Sequence, residues 1–190
     1  FSPSDLRILE KNWEIKDGNF IKFNKEEIDT RNFVLTYFDR TITLTSINKG
    51  KGLELYLKNL DIHYLDDVWK YDELEFAGKY NLKITAKNLF DLNQLSLVGD
   101  MDTFKINKRN FGKISLNATM KDLSQPVFAN LKILNENNEY LLLNGFYVPD
   151  SKSVKPNVLS KYEPNSYKAD FEISNYPLAA LEYFIPAGLH

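Results

Sequence analysis

The 190-residue sequence predicts an all-β fold with an antiparallel-rich sheet, helix being confined to two or three short pieces. Three observations predict it. Apolar and polar residues alternate with period two along nearly the whole chain, the spacing of half-buried strands. Aromatics make up 14% of the residues, mostly Phe and Tyr, and alanine is scarce, which favours strands over helices. One strand-and-turn element also recurs. In Leu53–Trp69, Leu53, Leu55 and Leu57 alternate with Glu54, Tyr56 and Lys58, the chain turns at Asn59, and Ile62, Leu65, Val68 and Trp69 fall at helical spacing. Phe171–Ile185 repeats it without a gap: Leu55 matches Phe171, Leu57 Ile173, Asn59 Asn175 and Leu60 Tyr176, and the helical stripe becomes Leu178, Leu181 and Phe184. A looser copy, Leu82–Leu95, keeps Lys-Asn-Leu with one inserted residue.

In chain order, Pro3, Ser4 and Asp5 are placed to cap a helical turn over Arg7–Lys11. Asn12–Lys16 reads as a strand with Trp13 and Ile15 on one face, and Asp17-Gly18 as a hairpin turn into Asn19–Asn24. Lys25–Thr30 is polar around Ile28. Asn32–Phe38 and Thr41–Ile47 are alternating strands joined at Asp39-Arg40, and Asn48–Gly52 is a turn into the central element. Leu74–Ala86 carries Tyr80, Leu82, Ile84 and Ala86 on one face. Leu95–Ile106 reads as short strands around Gly99-Asp100. Arg109–Gly112 reads as a turn, followed by a strand over Lys113–Met120. Val127–Leu134 opens after Pro126, where a missing N–H is tolerated, and Glu139–Val148 is strongly apolar. Pro149–Pro164 is a long loop, an excursion within one unit spanning residues 1–190. Tyr167–Ile173 is the last strand, and Pro177 starts the final helix from a position where it loses no hydrogen bond.

Composition narrows the function. A net charge of −2 leaves no basic field to gather phosphates, so no nucleic-acid partner is expected. With no cysteine there is no disulfide, thiolate metal site or cysteine nucleophile. No apolar run is long enough to span a bilayer as a helix, and no signal peptide is seen. The abrupt opening and the Pro-Ala-Gly-Leu-His ending, inside a use of the repeated element, read as a piece of a longer protein.

No chemistry stands out. His63 sits near Asp61, Asp66 and Asp67, yet no second pair of ligands accompanies it, so the group reads as solvated charge and not as a metal site. Asp66 and Asp67 with Glu73 and Glu75 read as exposed acids. There is no nucleophile elbow, P-loop or dinucleotide fingerprint. The expectation is a protein that is no enzyme and needs no cofactor or metal. What remains is the sheet, one apolar face per strand. Pattern alone favours a closed β-sandwich, a binding or adhesion module using exposed Tyr and Trp on carbohydrate or protein. The sharper alternative is an open sheet whose apolar lining faces a lipid-sized trough.

The segments LYLKNLDIHYLDDV, LKITAKNLFDL, FGKISLNATM and FEISNYPLAALEYFIPAGL resemble the repeats of the TamB family, in the wider AsmA-like group, in the form found in Bacteroidota. The resemblance spans roughly residues 19–190. It implies a β-taco, a folded-over sheet enclosing an open U-shaped groove. It further implies a periplasmic segment, anchored in the inner membrane in the full-length protein, that moves phospholipid or another acyl-chain lipid toward the outer membrane. The implied partner is an outer-membrane assembly protein of the TamA type. No active-site residues come with it. The lining expected from alternation is Leu55, Leu57, Tyr80, Leu82, Ile84, Ile114, Leu116, Ala118, Leu131, Ile133, Leu141, Leu143, Phe171 and Ile173. Alternation groups each set on one face without saying which way the face points. Unpaired sheet edges predict edge-to-edge association of copies.

Overall fold

A computed structural model of the chain describes residues 5–8, 11–65, 74–123, 125–149 and 162–177. Its strands are β1 (Asp5–Ile8), β2 (Lys11–Ile15), β3 (Phe20–Phe23), β4 (Ile28–Arg31), β5 (Phe33–Tyr37), β6 (Arg40–Ile47) and β7 (Gly52–Asp61). They continue as β8 (Phe76–Ala77), β9 (Lys79–Asn88), β10 (Asn93–Ile106), β11 (Arg109–Met120), β12 (Val127–Leu134), β13 (Tyr140–Tyr147) and β14 (Tyr167–Ser174). Twelve of them form one sheet in the order β1-β2-β5-β6-β7-β9-β10-β11-β12-β13-β14, with β8 paired to β10 off the main path. Every pairing in it is antiparallel, and the sheet is not closed into a barrel. β3 and β4 form a separate two-stranded sheet.

Several expectations are corrected. The expected short helices are not seen: among the described residues helix amounts to 3-10 turns at Asn48–Gly50 and Ile62–Leu65. Asp5–Ile8 is a strand, because Leu6 and Ile8 face Trp13 and Lys11 across a ladder that outweighs the local cap. The rest of the helical stripe after Leu65, the loop over 150–161 and the helix from Leu178 fall outside the described residues. Asp17-Gly18 does turn the chain, with Gly18 at φ 70, yet β3 leaves the sheet. β2 pairs instead with β5. The polar 25–30 segment contains β4, whose buried Thr30 accepts at Oγ1 from the Ser46 amide N–H at 2.6 Å, while the Thr30 amide donates to Ser46 Oγ at 3.1 Å.

Several other turns fall on asparagine, although Phe38 and Leu92 also take positive φ at turns. Asn107 and Lys108, at φ 48 and 70, make the β10–β11 turn, so Arg109–Gly112 is strand and not turn. Gly112 lies at φ 98, where a Cβ would stand 2.2 Å from the Leu134 carbonyl oxygen, so only glycine fits. β10 runs unbroken through Gly99. β7 does not end at Asn59: that residue takes φ 57 and makes a bulge, shifting the register between Leu57 and Leu60.

The core is split. One buried cluster joins Met101, Phe104, Ile106, Phe111, Ile133, Leu141 and Tyr176. A second joins Trp13, Ile15, Leu35 and Leu60, and a small third centres on Val148 with Phe146 and Tyr162. Tyr80 packs against the first two.

Candidate functional site

The antiparallel register decides which side chains share a face, because directly opposed residues point the same way. One cross-strand row reads Ile15, Leu35, Ile42, Leu57, Leu82, Gly99, Leu116, Leu131, Leu143, Phe171, running from β2 to β14. On one side of it lies Phe33, Leu44, Leu55, Ile84, Leu97, Ala118, Ala129, Gly145, Ala169. On the other lies Leu60, Tyr80, Met101, Ile114, Ile133, Leu141, Ile173. A further row runs Leu53, Ala86, Leu95, Met120, Val127, Tyr147, Tyr167. All of the expected lining residues stand in these rows, on one face of one sheet.

Burial grades across the face. Leu60, Met101, Ile133 and Leu141 are buried, with Phe104, Ile106 and Phe111 beside them, so one long border is packed. Tyr176 closes that border, its hydroxyl donating to the Phe111 carbonyl at 2.6 Å. Burial raises the phenol pKa of both Tyr80 and Tyr176 above its ordinary value. In the next rows Leu55, Leu57, Leu82, Ile84, Leu116, Ala118, Leu131 and Leu143 are only half-buried. Phe171 and Ile173 are exposed, Phe171 by 66%. Among the described residues the only other sheet is the β3–β4 pair.

The opposite face is largely polar. Between β9 and β14 it presents Asn81, Lys83 and Thr85, then Asn117, Asn130, Asn144 and Asp170 in register, Asn130 Nδ2 donating to Asn144 Oδ1 at 2.5 Å. Lys83 pairs with Glu54 at 2.8 Å on this side. That face is mixed, with Val98, Phe128, Leu142 and Phe146 standing among its amides and charges, whereas the rows of the first face are apolar throughout.

Alternation alone left out Leu95, Leu97 and Met101, because Gly99 made one long strand look like two. Ile42 and Leu44, on the same face two strands away, were legible as an alternating pair. His63 is exposed and borders a shallow depression with Glu75, Phe76, Lys105 and Lys108. Among the described residues no group of acids and histidines is placed to hold a metal ion. No described helix is long and apolar enough to cross a membrane.

No protein-family profile, curated protein or solved structure matches the chain.

Proposed function

We propose that this chain is a lipid-transfer segment whose apolar face carries acyl chains. The observation that carries the reading is the apolar face from β2 to β14, half-buried in its middle rows between β6 and β13 and backed by a largely polar face. A soluble chain seldom leaves so long a strip of hydrocarbon partly open without an occupant. Each methylene of a lipid tail moved from water onto it contributes about 0.8 kcal/mol. Leu, Ile and Phe side chains impose no fixed register on a tail, so a lipid slides along the rows while its head group stays in water.

Ten strands of the main path, β2 to β14, extend the face for about 43 Å at ~4.8 Å per strand. We further propose that the sheet folds over into a U-shaped β-taco. In support, Leu60 of β7 shares a buried cluster with Leu35 of β5 and with Trp13 and Ile15 of β2, strands that a flat sheet would hold about 10 and about 14 Å away. On the resemblance to TamB repeats we also propose that the segment lies in the periplasm and carries phospholipid between inner and outer membrane, with the full-length protein anchored in the inner membrane and working with a TamA-type partner.

The test is site-specific photo-crosslinking in cells. Probes at Leu82, Leu116 and Leu143 are expected to capture phospholipid, and probes at Lys83, Asn117 and Asn144 are not. Equal capture from both sets, or none from either, sinks the reading. One feature favours a second reading, a carbohydrate-binding module: Phe128, 49% exposed, borders a depression lined by Asn117, Asn130 and Asn144 on the polar face. Glycan-array binding abolished by Phe128→Ala, with no lipid captured, would favour it.

A further inference from the structure

We propose that the β14 edge is a homodimerisation surface on which two copies of this chain pair antiparallel about a twofold axis at Ala169. An unpaired strand edge offers a row of free N–H and C=O groups to another chain, and proteins usually blunt such edges with proline, bulges, short strands or charged side chains. Among the described residues no strand pairs with the outer edge of β14, and of these devices it has only charge, in Lys168, Asp170 and Glu172. It is eight residues long, contains no proline, and pairs with β13 without a register shift. Every residue from Tyr167 to Ile173 is exposed, Tyr167 by 82%. The opposite edge strand, β1, has four residues.

The side chains select both partner and register. Pairing must keep the apolar residues Tyr167, Ala169, Phe171 and Ile173 on one face, because a one-residue slip would set them against the charged face. The twofold must therefore pass through a residue and not between two. Centred on Asp170, it opposes the two Asp170 carboxylates; centred on Phe171, it sets Asp170 against Glu172 of the other copy. Centred on Ala169, it places Lys168 opposite Asp170 of the other copy, twice, with no like charges facing. Lys168 and Asp170 already lie 2.9 Å apart within the strand, so both heads occupy the level at which they would meet. The same register sets Tyr167 against Phe171 of the other copy, twice, covering the two most exposed aromatics of the strand. Aromatic and opposite-charge pairs are the cross-strand contacts that stabilise sheets. An isologous pairing of this kind is self-complementary and closed.

This inference is independent of the lipid reading: it concerns backbone pairing at an edge, and either stands if the other fails. Sedimentation equilibrium of the 190-residue chain is expected to show a monomer–dimer equilibrium. Lys168→Asp or Asp170→Lys alone should weaken the dimer roughly tenfold, two attractive pairs becoming repulsive. The double reversal should restore it. The chain has no cysteine, so Ala169→Cys introduces one thiol per copy. Opposed Cα atoms stand about 4.5–5.5 Å apart across antiparallel strands, within disulfide reach, so mild oxidation should link the copies. Asp170→Cys should link far more slowly. A chain that stays monomeric at high micromolar concentration overturns the proposal. So does faster linkage through Asp170→Cys, or a double reversal no tighter than the single variants.

Discussion

At the scale of single residues, two asparagines do the same work at matched points of the repeat. Asn59 and Asn175 both take left-handed backbone, at φ 57 and 51. Each is followed by a buried residue, Leu60 after the first and Tyr176 after the second. A positive φ re-aims the next side chain into the core, and asparagine reaches that region at lower cost than other non-glycine residues. Asn59 is held further by its amide N–H donating to Asn81 Oδ1 at 3.1 Å and its Nδ2 donating to the Asp39 carbonyl at 3.1 Å. Asn59→Val should therefore cost about 1–3 kcal/mol in urea unfolding, whereas Asn59→Gly should cost less. The third copy behaves differently: Asn88 instead accepts from the Phe90 and Asp91 amides at 3.1 and 3.3 Å, making a local turn. The tyrosines give a pH prediction. Burial raises the folded pKa of Tyr80 and Tyr176 above 10.0, and a hydrogen bond to the Glu172 carboxylate, first, raises that of Tyr140. The folded state thus holds these protons more tightly. The associated stability is fully present below pH 10.0 and is lost as pH rises through the folded values. Melting temperature should fall across this alkaline range, and Tyr176→Phe should flatten that fall while lowering stability at neutral pH by about 1 kcal/mol.

At the scale of elements, the strands were largely legible because a period of two survives in a one-letter string. Val127–Leu134 and the Tyr80–Ala86 alternation carry their own evidence, and so does the shared face of Leu116, Leu131 and Leu143 once neighbouring strands pair in order. What failed had a physical cause. Asp17-Gly18 supplies turn geometry but says nothing of which strand β2 will pair with, and Trp13 and Ile15 gain more by packing with Leu35. Arg109–Gly112 looks like a turn because it is polar and ends in glycine. Gly112 is there for a close approach to Leu134, so Gly112→Ala should cost about 2 kcal/mol or more and be detected as an earlier urea midpoint. The short helices rest on local signals, spacing and end residues such as Asp5, and at Ile62–Leu65 the described chain makes a single 3-10 turn. On the candidate site, Leu116→Asp should abolish lipid capture from neighbouring probes, while Asn117→Asp, one residue away on the other face, should leave it intact.

At the scale of the whole molecule, the packed border and the half-open rows predict retention of a guest. Native mass spectrometry of the purified chain should show added masses of phospholipid, released by detergent. A bare protein mass under gentle conditions would count against the lipid reading. Whether the sheet is open along its length was not legible in the sequence, because alternation is identical in a sealed sandwich and a trough. The strand order has a separate consequence. From β5 onward each strand of the main path lies beside its predecessor in the chain, β8 apart, and short connections close every ladder except β7–β9 and β13–β14. Loop-closure entropy is then small at most steps, and assembly needs no partner far along the chain. Such a chain zips up progressively as it emerges, hairpin upon hairpin, and a truncated nascent chain ending after β12 should already protect the amides of β6 and β7 from hydrogen exchange.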